Sequence, residues 1–124
     1  MAEILRRIYI NTDMDVAVAR LQAREVARAL GFGTVDQARI SLATSELARS
    51  LSAVTPVRGE VWVSRLERGA RIGLQIEYVH TQRSANGPIR MADLVGAGHL
   101  MDECLVQEDP EHATHVTLIK WQAG

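Results

Sequence analysis

Apolar positions recur every third or fourth residue through the first half of the chain, and alternation replaces that spacing in the second half. Ile40, Ala43, Leu47, Leu51 and Val54 form one apolar stripe, with Arg39, Glu46, Arg49 and Ser50 elsewhere on the same cylinder. This predicts a helix that starts at Thr34 and ends between Ser52 and Pro56, where the proline cannot continue it. Thr34 and Gln37 have the separation of a capping box, and Asp36 adds negative charge to the first turn. Gly31 and Gly33 close the helix before it. That earlier helix, Val16 to Leu30, places Ala19, Ala23, Val26 and Leu30 on one face and Arg20, Arg24 and Arg28 on another. Ile4 to Ile10, apolar and β-branched, reads as a strand, with Asn11, Thr12, Asp13 and Asp15 as turn and cap candidates behind it.

Alternation marks Gly59 to Glu67, with Val61, Val63 and Arg65 on one side and Glu60, Trp62 and Ser64 on the other. It returns from Arg71 to Val79 through Ile72, Leu74 and Ile76, and the short Glu67-Arg68-Gly69-Ala70 connection makes the two an antiparallel hairpin. His80 to Arg90 is a polar loop. Met91 to Val106 reads as a third helix whose buried face would hold Leu94, Val95, Leu100, Met101 and Leu105, weakened by Gly96 and Gly98. Asp109-Pro110 turns the chain into a last strand, Thr114 to Trp121. The order of elements predicts one α+β domain over residues 1–124, a two-layer sandwich of mostly antiparallel sheet covered on one face by about three helices.

Composition narrows the function classes. With 124 residues, 47% hydrophobic, the chain can bury a core without disulfides or metal. A net charge of −1 argues against nucleic-acid and membrane-surface roles, which favour a basic excess. No apolar run spans a bilayer, and arginines interrupt the first ten residues where a secretory signal would be apolar, so a cytoplasmic protein is expected. The single Cys104 reads as a small buried hydrophobe. His112 and His115 lack further ligands at metal spacing, His99 reads as a half-buried helix residue, and Asp102-Glu103 and Glu108-Asp109 read as surface carboxylates. No metal site is expected.

Gly31-Phe32-Gly33-Thr34-Val35-Asp36-Gln37-Ala38-Arg39-Ile40, followed by Ser45-Glu46-Leu47-Ala48-Arg49, resembles the N-box helix of the GHKL anti-sigma-factor and serine/threonine switch kinases. Gly73-Leu74-Gln75-Ile76, Leu100-Met101-Asp102-Glu103 and Thr117-Leu118-Ile119-Lys120-Trp121 are similar to later segments of that family, as the strand before its first glycine box, the helix after its second and its closing strand. The resemblance implies a GHKL ATPase-like fold. It also implies an N-box Glu-x-x-x-Asn in which the glutamate is general base and the asparagine holds magnesium. Glu46 keeps the first position, and Ser50 stands at the second. The adenine-binding aspartate falls at about His80, and Gly96-Ala97-Gly98 is what remains of the second glycine box. These departures imply a degenerate nucleotide site with no cofactor expected, and binding of some other ligand in the vacated pocket stays open because Tyr78, His80 and Gln82 could line it.

The reading that follows is a non-catalytic protein-binding module of a partner-switching pathway in transcription control or stress response. Its partner would be a STAS-domain antagonist, a sigma factor or a phosphatase, met by Arg20, Arg24, Arg28 and Arg49. The alternative is a divergent serine/threonine kinase that uses ATP, magnesium and Glu46 to phosphorylate a STAS-domain antagonist. Family members often form homodimers, although no stretch here demands one.

Overall fold

A computed structural model describes residues 1–54, 59–80, 94–108 and 114–123. The elements are β1 (Ala2–Ile10), α1 (Asp13–Ala29), α2 (Thr34–Val54), β2 (Gly59–Arg68), β3 (Arg71–His80), α3 (Val95–Leu100), β4 (Glu103–Glu108) and β5 (Thr114–Trp121). The five strands lie in the order β1-β2-β3-β5-β4, each antiparallel to its neighbours. The helices cover one face, as the alternation of buried positions requires. Ile8, Ile10, Val61, Val63, Leu74, Ile76, Tyr78, Val116 and Leu118 from the strands join Ala19, Ala23, Val26, Ile40, Ala43, Leu47 and Ala97 from the helices in one core. No described helix is long and apolar enough to cross a membrane.

The β2–β3 hairpin and β5 form where the alternation places them, and Gly69 turns the hairpin at φ +62°. α1 starts three residues earlier than the apolar stripe suggests. Thr12 caps it, accepting from the Asp15 amide at 3.3 Å, while the Asp15 carboxylate accepts from the Thr12 amide at 3.0 Å. The capping box is therefore at α1. At α2 the Gln37 amide donates to the Gly33 carbonyl, and the Gln37 side chain donates to the Phe32 carbonyl, 2.8 Å, instead of turning to Thr34. α1 ends in a Schellman turn, with Gly31 at φ +90° donating to Arg28 and Phe32 to Ala27. Phe32 and Ala27, which join in that turn, are both buried, so the turn itself is part of the core.

The stretch read as one third helix divides. α3 has six residues, and Met101 and Asp102 lead out of it into β4. Leu100, Met101 and Leu105 satisfy helical spacing locally, but β4 gains a full antiparallel partner in β5. The Asp102 amide donates to Ile119, 2.8 Å, and its carboxylate accepts from the Trp121 amide at 2.7 Å and from Lys120 at 3.1 Å. The Glu103 carboxylate accepts from the Trp121 indole N–H at 2.5 Å. Asp102 and Glu103 are thus anchors of the sheet edge rather than loose carboxylates on a helix.

Their ionisation reflects this. Burial raises the Asp102 carboxyl, but the Trp121 amide, Lys120 and the Arg71 charge outweigh it and leave it below the ordinary aspartate value. The Trp121 indole hydrogen bond is the main cause that lowers Glu103, and Arg68 and Arg71 add to it. A depressed carboxyl adds stability that is complete above its unfolded pKa and is lost as pH falls through the folded one. Melting temperature is expected to fall as pH drops below about 4. Asp102→Asn should lower it at pH 7 and flatten that acid branch, and an unchanged acid branch in a calorimetric pH series would refute the assignment.

Candidate functional site

α2 carries Glu46 on the side that meets α3. One carboxylate oxygen accepts from Arg49 at 2.8 Å, and a Cβ built on Gly96 would lie 3.5 Å from the other. Leu94 and Ala97, both buried, fix α3 against the core and so hold the Gly96 backbone near that carboxylate. Glu46 is about one-third exposed and Arg49 about two-thirds. Gly98 faces elsewhere: its own Cβ position is 3.9 Å from Cys104 of β4. The structure thus brings Glu46 to Gly96, while Gly98 of the same helix faces β4. Ser50 follows Glu46 by one turn of α2. His80 closes β3, in register with Gly59 and Thr114.

No family model matches the chain. It is 33% identical to the serine/threonine-protein kinase RsbT of Bacillus subtilis over 127 aligned positions, covering 92% of this chain and 94% of RsbT. This chain belongs to the RsbT-like kinase family. A solved structure of the RsbU and RsbW domains of Rv1364c from Mycobacterium tuberculosis superposes with a TM-score of 0.61 over 96% of the chain. At 20% identity that likeness shows the fold, and this chain spans 33% of the length of that longer one.

On this RsbT-like frame the four arginines fall into two pairs. Arg20 and Arg49 line a cavity of about 340 Å³ between α1 and α2, with Asp13 and Ser45 in its wall. Arg24 and Arg28 line another, of about 280 Å³, with Glu25 and Gln37. Arg20, Arg24 and Arg28 are exposed and make no ion pair among the described residues, whereas Arg49 is tied to Glu46. Helical spacing was enough to find the first three. Ser45 is buried and donates to the Ser41 carbonyl at 3.4 Å, so its hydroxyl serves the helix.

Several residues singled out in the sequence lie differently. Tyr78 belongs to the core beneath the helices, where burial pushes its hydroxyl up to about 12, so it does not line an open pocket. His99 is exposed rather than half-buried. Cys104 is half-buried with its thiol raised by burial, in keeping with an unreactive small hydrophobe. Gln82 and His112 lie outside the described residues. Sequence reasoning passed over a polar group on the helix-free face of the sheet: His115 Nε2 and Glu77 are 2.5 Å apart, Gln75 donates to Glu77, and Trp62 meets His115 edge-on at 6.0 Å. The register of β3 with β5 makes these neighbours, and that register is not written in either strand alone. No cluster of three metal-binding side chains occurs among the described residues.

Proposed function

We propose that this chain is a non-catalytic regulator that acts by occupancy in a partner-switching pathway, binding a STAS-domain antagonist, a sigma factor or a phosphatase. The observation that carries this reading is the Glu46–Arg49 pair. Phosphoryl transfer depends on positioning and on neutralising phosphate charge, with magnesium held by well-placed oxygen donors. Here the carboxylate at the base position is engaged by an arginine 2.8 Å away, and the next turn offers Ser50 where the family has an asparagine. α3, the helix whose N-terminus would face phosphates, has six residues and no side-chain cap, too short to gather much of a macrodipole. These donors are a poor fit to a magnesium–triphosphate, and no chemical step is assigned to Glu46.

A second reading keeps one specific observation in its favour. Glu46 still faces the α3 backbone at Gly96, where a base would stand in a divergent serine/threonine kinase. Isothermal titration with ATP and magnesium separates the two. The expected result is no heat at millimolar ATP, and no radiolabel passing from ATP to a STAS-domain protein. Magnesium-dependent binding in the micromolar range, or transfer of label, would establish the kinase instead.

Partner contact is proposed for the exposed arginines Arg20, Arg24, Arg28 and Arg49. Arg20, Arg24 and Arg28, which make no ion pair among the described residues, gain most from a carboxylate that arrives with a partner, whereas Arg49 would exchange Glu46 for it. The double reversal Arg24→Glu, Arg28→Glu should weaken capture of the STAS-domain partner by about tenfold or more in surface plasmon resonance. Unchanged affinity would move the contact to another face.

A further inference from the structure

The candidate site has two walls, α2 and α3, and a single ammonium reaches both of them away from Glu46 and Gly96. Lys120, near the end of β5, alternates with Leu118 of the main core, whereas Ile119 and Trp121 form a separate cluster with Leu66. Its side chain is 12% exposed, and its ammonium stands 3.1 Å from Asp102 and 3.8 Å from Asp36. Asp36 belongs to the first turn of α2, ten residues before Glu46. Asp102 lies two residues beyond the end of α3 and six beyond Gly96.

α2 is one continuous helix, so the chain from Asp36 fixes Glu46 about 15 Å along its axis. α3 has six residues and no side-chain cap, too few to hold its own geometry, so its place depends on what its ends are attached to. Leu94 and Ala97 are buried at one end. At the other, the two residues from Leu100 to Asp102 allow at most about 7 Å of reach, so α3 follows Asp102. The Asp102 amide donates to the Ile119 carbonyl at 2.8 Å, and its carboxylate accepts from the Trp121 amide at 2.7 Å, both on β5. Among the described residues only Lys120 pairs with Asp102 and with α2 at once. Arg39 meets Asp36 at 3.5 Å from within the same helix, and the charge of Arg71 acts on Asp102 from β3 without an ion pair to α2.

We propose that Lys120 is a positioning residue for the candidate site: its charge registers α3 against α2 and so sets how closely the Gly96 backbone approaches Glu46. With the ammonium in place, each wall is drawn to the same cation. Without it, Asp36 and Asp102 are two like charges that push the walls apart. A change in this one charge therefore reaches Glu46 and Gly96 without touching either. The inference goes beyond regulation by occupancy and stands whether or not ATP binds, because it concerns the frame of the site and not its ligand.

The test reads that approach directly on the full chain. In a Cys104→Ser background, Gly96→Cys places one thiol where a Cβ would lie 3.5 Å from the Glu46 carboxylate. A neighbouring carboxylate keeps a thiol protonated, so adding Glu46→Gln should speed its alkylation by iodoacetamide at pH 7 about threefold. Lys120→Met should erase this dependence on residue 46, and Lys120→Arg, which keeps the charge, should retain it. Asp36→Asn cuts only the tie to α2 and should erase most of it, which decides the matter if circular dichroism shows Lys120→Met unfolded. Backbone hydrogen exchange in α3 should quicken about tenfold in either charge-cutting variant while α1 stays unchanged. The same dependence on residue 46 in the Lys120, Lys120→Met and Asp36→Asn chains would overturn the proposal. So would no dependence in the Lys120 chain, a Lys120→Arg chain that behaves like Lys120→Met, or exchange that rises equally in α1 and α3.

Discussion

Leu47→Ala should lower the free energy of unfolding by about 3 kcal/mol. Leu47 is 1% exposed and belongs to the core cluster with Ile40, Ile76 and Leu118. Much of the buried helix surface is small: Ala19, Ala23 and Ala27 on α1, Ala43 and Ala48 on α2. A few large side chains therefore fill the space between helices and sheet, and Leu47 is one of them. With α2 clamped to α1 by the Schellman turn and the sheet beneath it hydrogen-bonded throughout, the hole left by three missing carbons cannot close. Leu42, on the same helix but 46% exposed, sets the comparison: its alanine variant should change stability by less than about 0.5 kcal/mol. Urea denaturation followed by circular dichroism measures both, and equal losses would show that the core is not where the cluster places it.

The second large effect is expected at Gly73, where Gly73→Ala should cost about 3 kcal/mol. A Cβ at this position would lie 2.8 Å from Cε3 of Trp121 and 3.0 Å from the Lys120 carbonyl. The indole cannot easily yield. Its N–H donates to Glu103 at 2.5 Å, its backbone N–H donates to Asp102 at 2.7 Å, and the guanidinium groups of Arg71 and Arg68 lie over its ring at 4.2 and 5.0 Å. A methyl group at residue 73 therefore pushes against a side chain fixed on every other side. Placing the same substitution in a Trp121→Leu background should relieve most of the penalty, giving a coupling energy above about 1 kcal/mol in a double-mutant cycle. Additive losses would mean that the indole is free to move.

Legibility in the sequence followed the range of each interaction. The β2–β3 hairpin and β5 were readable because alternation and a short glycine turn are local properties, and α2 because its stripe runs for about four turns. β4 was hidden because Leu100, Met101 and Leu105 also satisfy helical spacing; its cause, pairing with β5 and the hold of Asp102 on the Trp121 amide, lies across 19 positions of chain. Thr12 and Asp15 were among the cap candidates for α1, but its start was placed three residues late because the cap precedes the apolar stripe. At the candidate site, Glu46 could be named from its resemblance to a family helix. Its nearness to Gly96 could not, because α2 and α3 meet only in the fold. The same holds for Glu77 and His115, which become partners through strand register alone.

Lys120 is the chain's only lysine, and it sits 12% exposed with its ammonium 3.1 Å from Asp102 and 3.8 Å from Asp36. Apart from the terminal amine, an acylating reagent therefore has one amine target, and there it competes with two carboxylates, one in the first turn of α2 and one at the entrance to β4. Its labelling rate, read by mass spectrometry on the unmodified chain, reports how firmly Asp36 and Asp102 hold the end of β5.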